Sequence, residues 1–135
     1  MARSDATVFP PPADANPMRL VHEPANGESR VLATDVERAD SLFAKVVGLM
    51  GKSSLPEDYA LVFDFGRTSY RDVHMLFVRT PLDVVWLLDD EVVQVKTLRP
   101  WRGTGVAKAD CFVELPGRAA DGVEPGDRVV LEDDE

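Results

Sequence analysis

The clearest structural pattern in this sequence is VVWLLDDEVVQVKTL, at residues 84–98. Its first five residues are all apolar, which is typical of a strand that is buried on both faces in the middle of a sheet. The pair Asp89-Asp90 then interrupts the apolar run where a tight turn would fall. Beyond it, residues 92–97 alternate between two faces, one of which is more polar. The stretch therefore predicts a β-hairpin whose first strand lies at the centre of a sheet.

The rest of the chain repeats this β pattern at regular intervals. Short apolar segments separated by Gly, Pro, Asn and Asp predict further strands at residues 19–22, 29–33, 60–65, 73–78, 112–115 and 128–131. The expected fold class is mainly β (α+β), built as an antiparallel sandwich, a jelly roll or a barrel. Thr34-Asp35-Val36-Glu37 fits a capping box, and apolar residues at helical spacing follow it. One helix is therefore predicted at about residues 35–50.

The length of 135 residues fits one domain, which can bury a core without disulfides or bound metal. We predict a disordered tail at residues 1–17, one globular domain at 18–131 and an acidic tail at 132–135. The single cysteine, Cys111, excludes an intramolecular disulfide and a multi-cysteine zinc site. Because the sequence shows neither a signal-peptide pattern nor a long apolar run, we expect a cytoplasmic protein without a membrane partner.

The charge balance is strongly acidic, with 24 Asp and Glu residues against 15 Lys and Arg, a net charge of −9. Such a charge disfavours proteins that hold a phosphate backbone over a broad surface, so we do not expect a nucleic-acid partner. Asp outnumbers Glu, Arg outnumbers Lys, and Ile is absent, a composition that resembles proteins of salt-loving archaea. In concentrated salt the charge maintains solubility and says little about partners. An ordinary acidic protein is the alternative interpretation.

Three groups of short motifs occur in a fixed order along the chain. They are Gly48-Leu49-Met50-Gly51 before residues 60–65, His74-Met75 before Thr80-Pro81-Leu82-Asp83, and Val113-Glu114-Leu115-Pro116-Gly117 before Gly126-Asp127. Their order and spacing over about residues 30–131 resemble the family called domain of unknown function 192. That family often has an aromatic residue before the Met and Lys-Asn after it, where this chain has His74 and Leu76-Phe77. The resemblance implies a mostly antiparallel β fold with one helix, and no established reaction.

Two carboxylates are the first candidates for a functional role. Asp83 could lie at the edge of a cleft, or its side chain could accept backbone N–H groups and hold the turn at residues 79–82. Glu114 could be a functional carboxylate paired with His74 or an arginine, or it could face water from a half-buried strand. We predict that a ligand contacts His74, Met75, Thr80, Asp83, Arg99, Trp101 and Glu114.

A basic and aromatic cluster, Arg99-Pro100-Trp101-Arg102, is predicted to form a loop. An exposed Trp101 between arginines could stack on a ligand ring or a partner surface. Alternatively, it could fold back over the sheet edge beneath the arginine side chains. Met50, Met75 and Trp101 could line an adaptable apolar pocket, or the methionines could simply pack in the core.

Other reactive residues give weaker patterns. His22, His74 and Asp83 could form a metal site of two histidines and one carboxylate, but their spacing does not require it, and we expect neither a metal nor a cofactor. Cys111 lies in an apolar strand, where a cysteine is usually an inert core residue. Gly103-Thr104-Gly105 lacks the strand, helix and lysine of a phosphate loop and is predicted to be a flexible turn.

The sequence contains no complete catalytic constellation, but it has polar and aromatic residues in its predicted loops. We therefore predict a non-enzymatic module that binds a small molecule or a protein partner. The alternative is a hydrolase or isomerase in which Asp83 or Glu114 acts as a general base near His74. A purely structural or partner-docking domain is the third possibility.

Overall fold

A computed structural model describes residues 18–38, 55–75 and 78–133, and strands dominate this part of the chain. The expectation of a mainly β fold is thereby confirmed, while the described ranges include no helix and hence none that could cross a membrane. The strands are β1 (Met18–Glu23), β2 (Arg30–Ala33), β3 (Asp35–Arg38), β4 (Tyr59–His74), β5 (Leu82–Leu88), β6 (Glu91–Leu98), β7 (Thr104–Pro116) and β8 (Arg128–Asp133).

All eight strands belong to one mixed sheet in the order β2-β1-β8-β6-β5-β7-β4-β3. The β3–β4 pair is parallel and every other pair is antiparallel. Only Thr34 separates β2 from β3 along the chain, although these strands lie at opposite ends of the sheet order. The sheet must therefore curl strongly. Because the pairing connects all strands in one sheet, the predicted sandwich, jelly roll or barrel is not confirmed.

The predicted helix start at Thr34 is wrong, because the next four residues form β3. Asp35 to Arg38 pair with Tyr59 to Val62 of β4, and the N–H groups of Thr34 and Asp35 both donate to the Asp58 carbonyl. Pairing with a neighbouring strand satisfies the same backbone groups that a helix would satisfy internally. Residues 39–50, the remainder of the predicted helix, and the Gly48-to-Gly51 motif lie outside the described residues.

The central hairpin forms as predicted. Asp89 and Asp90 both have positive φ, 50° and 68°, as a two-residue turn between twisted strands requires. β5 lies between β6 and β7, and side chains on both of its faces are buried. Its apolar run therefore reflects a strand that packs against protein on both sides.

Two apolar cores lie on opposite faces of the central strands β4, β5 and β7. Alternate residues enter different cores, as the two-residue repeat of a strand dictates. The first core contains Val85, Leu87, Val113 and Leu115, covered by residues of β1, β2 and β8 such as Leu20, Leu32 and Val129. The second core contains Leu61, Phe63, Met75, Val84, Trp86 and Phe112.

The strands predicted at residues 60–65 and 73–78 are largely one long strand, β4, with an irregularity between Asp64 and Ser69. Beyond the irregularity, residues 69–74 of β4 and 104–109 of β7 form a two-stranded ribbon over Trp86. The Trp86 Nε1–H donates to the Arg71 carbonyl at 2.8 Å, and a Cβ at Gly105 would lie 2.6 Å from the Trp86 ring. A glycine is thus needed for this close approach.

Two segments predicted to lie outside the strands, a flexible turn at residues 103–105 and an acidic tail at 132–135, belong partly to strands. Thr104 and Gly105 begin β7, and the turn before them needs Gly103, because a Cβ there would lie 2.6 Å from the Arg99 nitrogen. At the other end of the domain, Glu132 and Asp133 continue β8 and pair with β1. The first two residues of the segment predicted as an acidic tail, 132–135, are thus paired in the sheet. Residues 1–17 and 134–135 lie outside the described residues.

Candidate functional site

The outer face of the ribbon is exposed and has mixed chemistry. Because Val73 points into the second core, Asp72 and His74 point away from it, together with Tyr70. Opposite these three residues, in register, lie Val106, Thr104 and Lys108 of β7. Tyr70 is 73% exposed and Val106 is 52% exposed. This face therefore offers an aromatic ring, an aliphatic side chain and charged groups to solvent.

An open cleft of about 420 Å³ lies where the ribbon meets β6. The Lys96 Nζ donates to the Thr104 carbonyl at 2.8 Å, and the Gln94 Nε2 donates to the Val106 carbonyl at 3.2 Å. These side chains occupy carbonyls on the ribbon edge that a further strand could otherwise pair with. The residues that line the cleft are Asp72, Val73, His74, Gln94, Lys96, Thr104, Gly105 and Val106.

The His74 side chain lies next to Asp72, whose Oδ2 is 3.9 Å from the His74 Nε2. Both side chains are about two-thirds exposed, 65% and 72%, so solvent screens this pair and it adds little stability. The imidazole is therefore available to a ligand in the cleft.

The loop between β6 and β7 carries Trp101 and leads into Thr104 and Gly105, which line the cleft. Trp101 has φ +68°, which costs an L residue on the order of 1–2 kcal/mol. Its N–H donates to the Val78 carbonyl at 3.0 Å, while the Gly103 N–H returns to the Arg99 carbonyl at 2.9 Å. Half of Trp101 is exposed, so the loop does not fold it fully back over the sheet edge. Arg99 and Arg102 are exposed beside it.

Met75 joins this loop to the core rather than to the cleft. Its N–H donates to the Gly103 carbonyl at 2.9 Å, and its side chain is 1% exposed within the second core. Thr80 lies half-buried in the bend before β5. The structure therefore brings His74 and the loop at residues 99–102 to one region, with Met75 beneath it.

Asp83 is fully buried and has a hydrogen bond at each carboxylate oxygen. Oδ1 accepts from the Thr97 hydroxyl at 2.7 Å, and Oδ2 accepts from the Ala120 N–H at 2.8 Å. As in the structural interpretation, the Asp83 carboxylate accepts a backbone N–H, but that N–H belongs to the loop after β7 and not to the turn at residues 79–82. It points toward the first core, away from any cleft edge.

Of the two interpretations of Glu114, the one in which it faces water from a half-buried strand is wrong. It points into the second core and is 5% exposed, because both faces of β7 are buried at this point. Burial raises the pKa of its carboxyl to about 7. Its Oε1 is buried and has no hydrogen-bond partner among the described residues. Asp83 and Glu114 thus lie on neighbouring strands but on opposite faces.

A buried network around Asp127 was not predicted. The His22 Nε2 lies 2.8 Å from Asp127 Oδ2, and the Arg30 Nε donates to His22 Nδ1 at 3.1 Å. Hydrogen bonds from the Ala25 N–H and from His22 lower the pKa of Asp127. This arrangement fastens the β1–β2 hairpin to the turn before β8. The Gly126-Asp127 pair was visible in the sequence, but its distant partner was not.

The remaining candidates are separated in the structure. His22 lies in this buried network and His74 in the open cleft, and the described residues contain no group of three potential metal ligands. Cys111 packs against the first core, where burial raises the pKa of its thiol to about 12. A thiol so rarely ionised is a poor nucleophile, in agreement with an inert core residue.

Two solved structures are similar to this one. A protein from Sinorhizobium meliloti, described as a candidate transcription regulator, has a TM-score of 0.74 and 25% identity, over 84% of this chain and 92% of that one. A protein of unknown function from Novosphingobium aromaticivorans has a TM-score of 0.70 and 20% identity, over 88% and 89% of the two chains. None of the curated proteins matches the chain. The profile of DUF192, described as an uncharacterized ACR, matches residues 22–131, and the chain belongs to this family.

Proposed function

We propose that this protein is a non-enzymatic binding module and that the cleft between the ribbon and β6 holds a small polar ligand. The observation that carries the proposal is the cleft itself, whose volume of about 420 Å³ is within the range of small-molecule sites. His74 and Asp72 stand on one wall and Lys96 stands on the other.

The residues around the cleft favour a ligand with a planar ring and an oxygen-bearing polar group. Trp101, in the loop that leads into the cleft-lining Thr104, is half exposed and offers an aromatic surface on which such a ring can stack. The Lys96 ammonium has three donors, of which one bonds the Thr104 carbonyl, so others can reach a carboxylate or hydroxyl on a ligand. His74 can donate or accept a hydrogen bond at the same site.

The hydrolase or isomerase alternative receives less support from this arrangement. It needs Asp83 or Glu114 to share a cleft with His74, yet these carboxylates point into opposite cores. Among the described residues, neither carboxylate forms a hydrogen bond or ion pair with His74. The ribbon face with Tyr70 and Val106 keeps a partner-docking role open for the same region.

A thermal-shift screen of planar small acids and hydroxylated heterocycles tests the proposal, because a ligand that binds only the native state raises its Tm. We expect hits whose stabilisation disappears in Trp101→Ala and His74→Ala and persists in Val31→Ala, a change at an exposed residue on β2. Hits that stabilise all three variants equally would refute the cleft as the site.

A further inference from the structure

Four buried polar or charged residues occur in the described part of the chain: His22, Asp83, Glu114 and Asp127. Asp83 and Asp127 accept hydrogen bonds at both carboxylate oxygens, and both ring nitrogens of His22 have partners. Glu114 alone has a buried oxygen without a partner. Because the fold satisfies the others fully, this exception points to a group that acquires its partner from outside.

The surroundings of Glu114 follow from strand register. Glu37, Leu61, Glu114, Val84 and Lys96 are paired in succession across five neighbouring strands, so their side chains share one face. The carboxyl of Glu114 is therefore flanked by Leu61 and Val84, neither of which can donate a hydrogen bond. An ionised carboxylate is costly in such surroundings, and a neutral acid still lacks a donor for Oε1.

The charges near Glu114 favour a cation. Burial raises the pKa of Tyr59 most, followed by its hydrogen bond to Glu37. The negative charges of Glu37, Asp35 and Glu114 raise it further, so the electrostatic potential around Tyr59 is negative. The Tyr59 hydroxyl donates to the Glu37 Oε1 at 2.7 Å and is thus already engaged. Among the described residues, the cations on this face are engaged elsewhere. The Lys96 ammonium, two strands away, is on the Thr104 carbonyl, and the Arg71 guanidinium lies over the Phe65 ring.

We infer that Glu114 anchors a second binding site, one that takes a primary ammonium or guanidinium group on an apolar stem. The charged group would give Oε1 its missing donor, and Tyr59, which packs half-buried against the second core, would contact the stem. A single carboxylate in an apolar setting does not match the several oxygen ligands that a hard metal ion needs. Tyr59 lies near enough to Glu114 for its pKa to be raised by that carboxylate, and it is only partly buried, so the second core reaches solvent at Tyr59.

The probe is n-butylammonium chloride, titrated at pH 8 and constant ionic strength while the Tm is followed. Sodium chloride and 1-butanol are the controls for charge and for the apolar stem. We expect butylammonium alone to raise the Tm with a saturating dose response. Glu114→Gln should weaken the apparent affinity about tenfold or more, because it removes a charge-assisted hydrogen bond. Glu28→Gln, at an exposed position between β1 and β2, should bind as the unmodified protein does.

A capped tripeptide with a central lysine distinguishes the source of the cation. Stabilisation by the peptide as well as by butylammonium indicates a lysine side chain of a partner, and stabilisation by butylammonium alone indicates a free amine. Equal effects on the unmodified protein and on Glu114→Gln would overturn the inference, as would equal effects of sodium chloride.

Should Glu114→Gln fail to fold, the carboxyl carbon of Glu114 can be followed by NMR in the unmodified protein. Butylammonium should shift this resonance and 1-butanol should not, and an unmoved resonance at saturating probe would overturn the inference. The site at Glu114 does not rest on the cleft proposal. The variants Trp101→Ala and His74→Ala should leave butylammonium binding unchanged, so the two ideas can fail separately.

Discussion

Glu114→Gln should change how the stability of this protein depends on pH. Burial raises the pKa of Glu114 from 4.5 to about 7, so the folded protein holds a proton there at pH values where the unfolded chain has lost it. Unfolding then releases a proton, and stability falls as pH rises from about 4.5 to about 7. Converted at 1.36 kcal/mol per pKa unit, the full effect is about 3 kcal/mol. Above pH 7 the loss is complete and the dependence flattens.

Urea unfolding at pH 5, 6, 7 and 8 in fixed salt measures this effect. The free energy of unfolding of Glu114→Gln, minus that of the unmodified protein, should increase by about 2–3 kcal/mol between pH 5 and pH 8. Other groups titrate alike in both proteins and cancel in the difference. An unpaired Gln amide shifts the whole difference by a constant and leaves its slope intact. Glu28→Gln should give a flat difference. A flat difference for Glu114→Gln would refute the burial argument.

Four further outcomes follow from the described contacts. Gly105→Val should destabilise the protein by about 1–3 kcal/mol in thermal unfolding, because the new side chain overlaps the Trp86 ring. Asp83→Ala should cost roughly 2–4 kcal/mol in urea unfolding, since it leaves the Ala120 N–H and a hydroxyl without their acceptor. The pKa of Asp127 is lower in the folded protein than in the unfolded chain, so its carboxylate stabilises the fold above the unfolded pKa, and this stabilisation is lost as pH falls through the folded pKa. Asp127→Asn should therefore reduce the decrease of Tm at acidic pH. If the net charge of −9 is an adaptation to salt, unfolding in multimolar salt should require more urea than in dilute buffer, and full stability in dilute buffer would contradict this.

The central hairpin was predictable because everything that determines it lies within 15 residues. The apolar run and the Asp pair are local features, and the structure reproduces both. The simple alternation predicted for residues 92–97 is broken by a register shift opposite Trp86 and Leu87, which places Val92 with Val95 on the first-core face. The start of the predicted helix failed for the opposite reason. Thr34 and Glu37 fit a capping box, but their backbone pairs with residues from Asp58 to Val62, more than 20 positions further along the chain.

The candidate site shows the same division between local and distant determinants. The inert Cys111 could be anticipated from neighbouring residues, whereas they left open whether Trp101 is exposed or folds back over the sheet edge. Glu114 could not be anticipated, because its alternation with Val113 and Leu115 predicts a second face but not what covers it. The ribbon of β4 and β7, which packs over that face at Trp86, depends on an irregularity at residues 64–69 that has no local signature beyond Gly66.

The pH dependence and the proposed cation site at Glu114 are linked by thermodynamics. A cation binds the ionised carboxylate, so its affinity should rise from pH 6 to pH 8. The described charged or titratable groups on the same face are Asp35, Glu37, Tyr59, Arg71 and Lys96. At pH 8 a saturating cation should recover stability that ionisation of Glu114 removes. If the protein shows the pH dependence but no such recovery, Glu114 is a buried acid that binds no cation and only destabilises the fold when it ionises. If the cation restores stability at pH 8 in the unmodified protein but not in Glu114→Gln, the destabilising buried carboxylate is explained by cation binding.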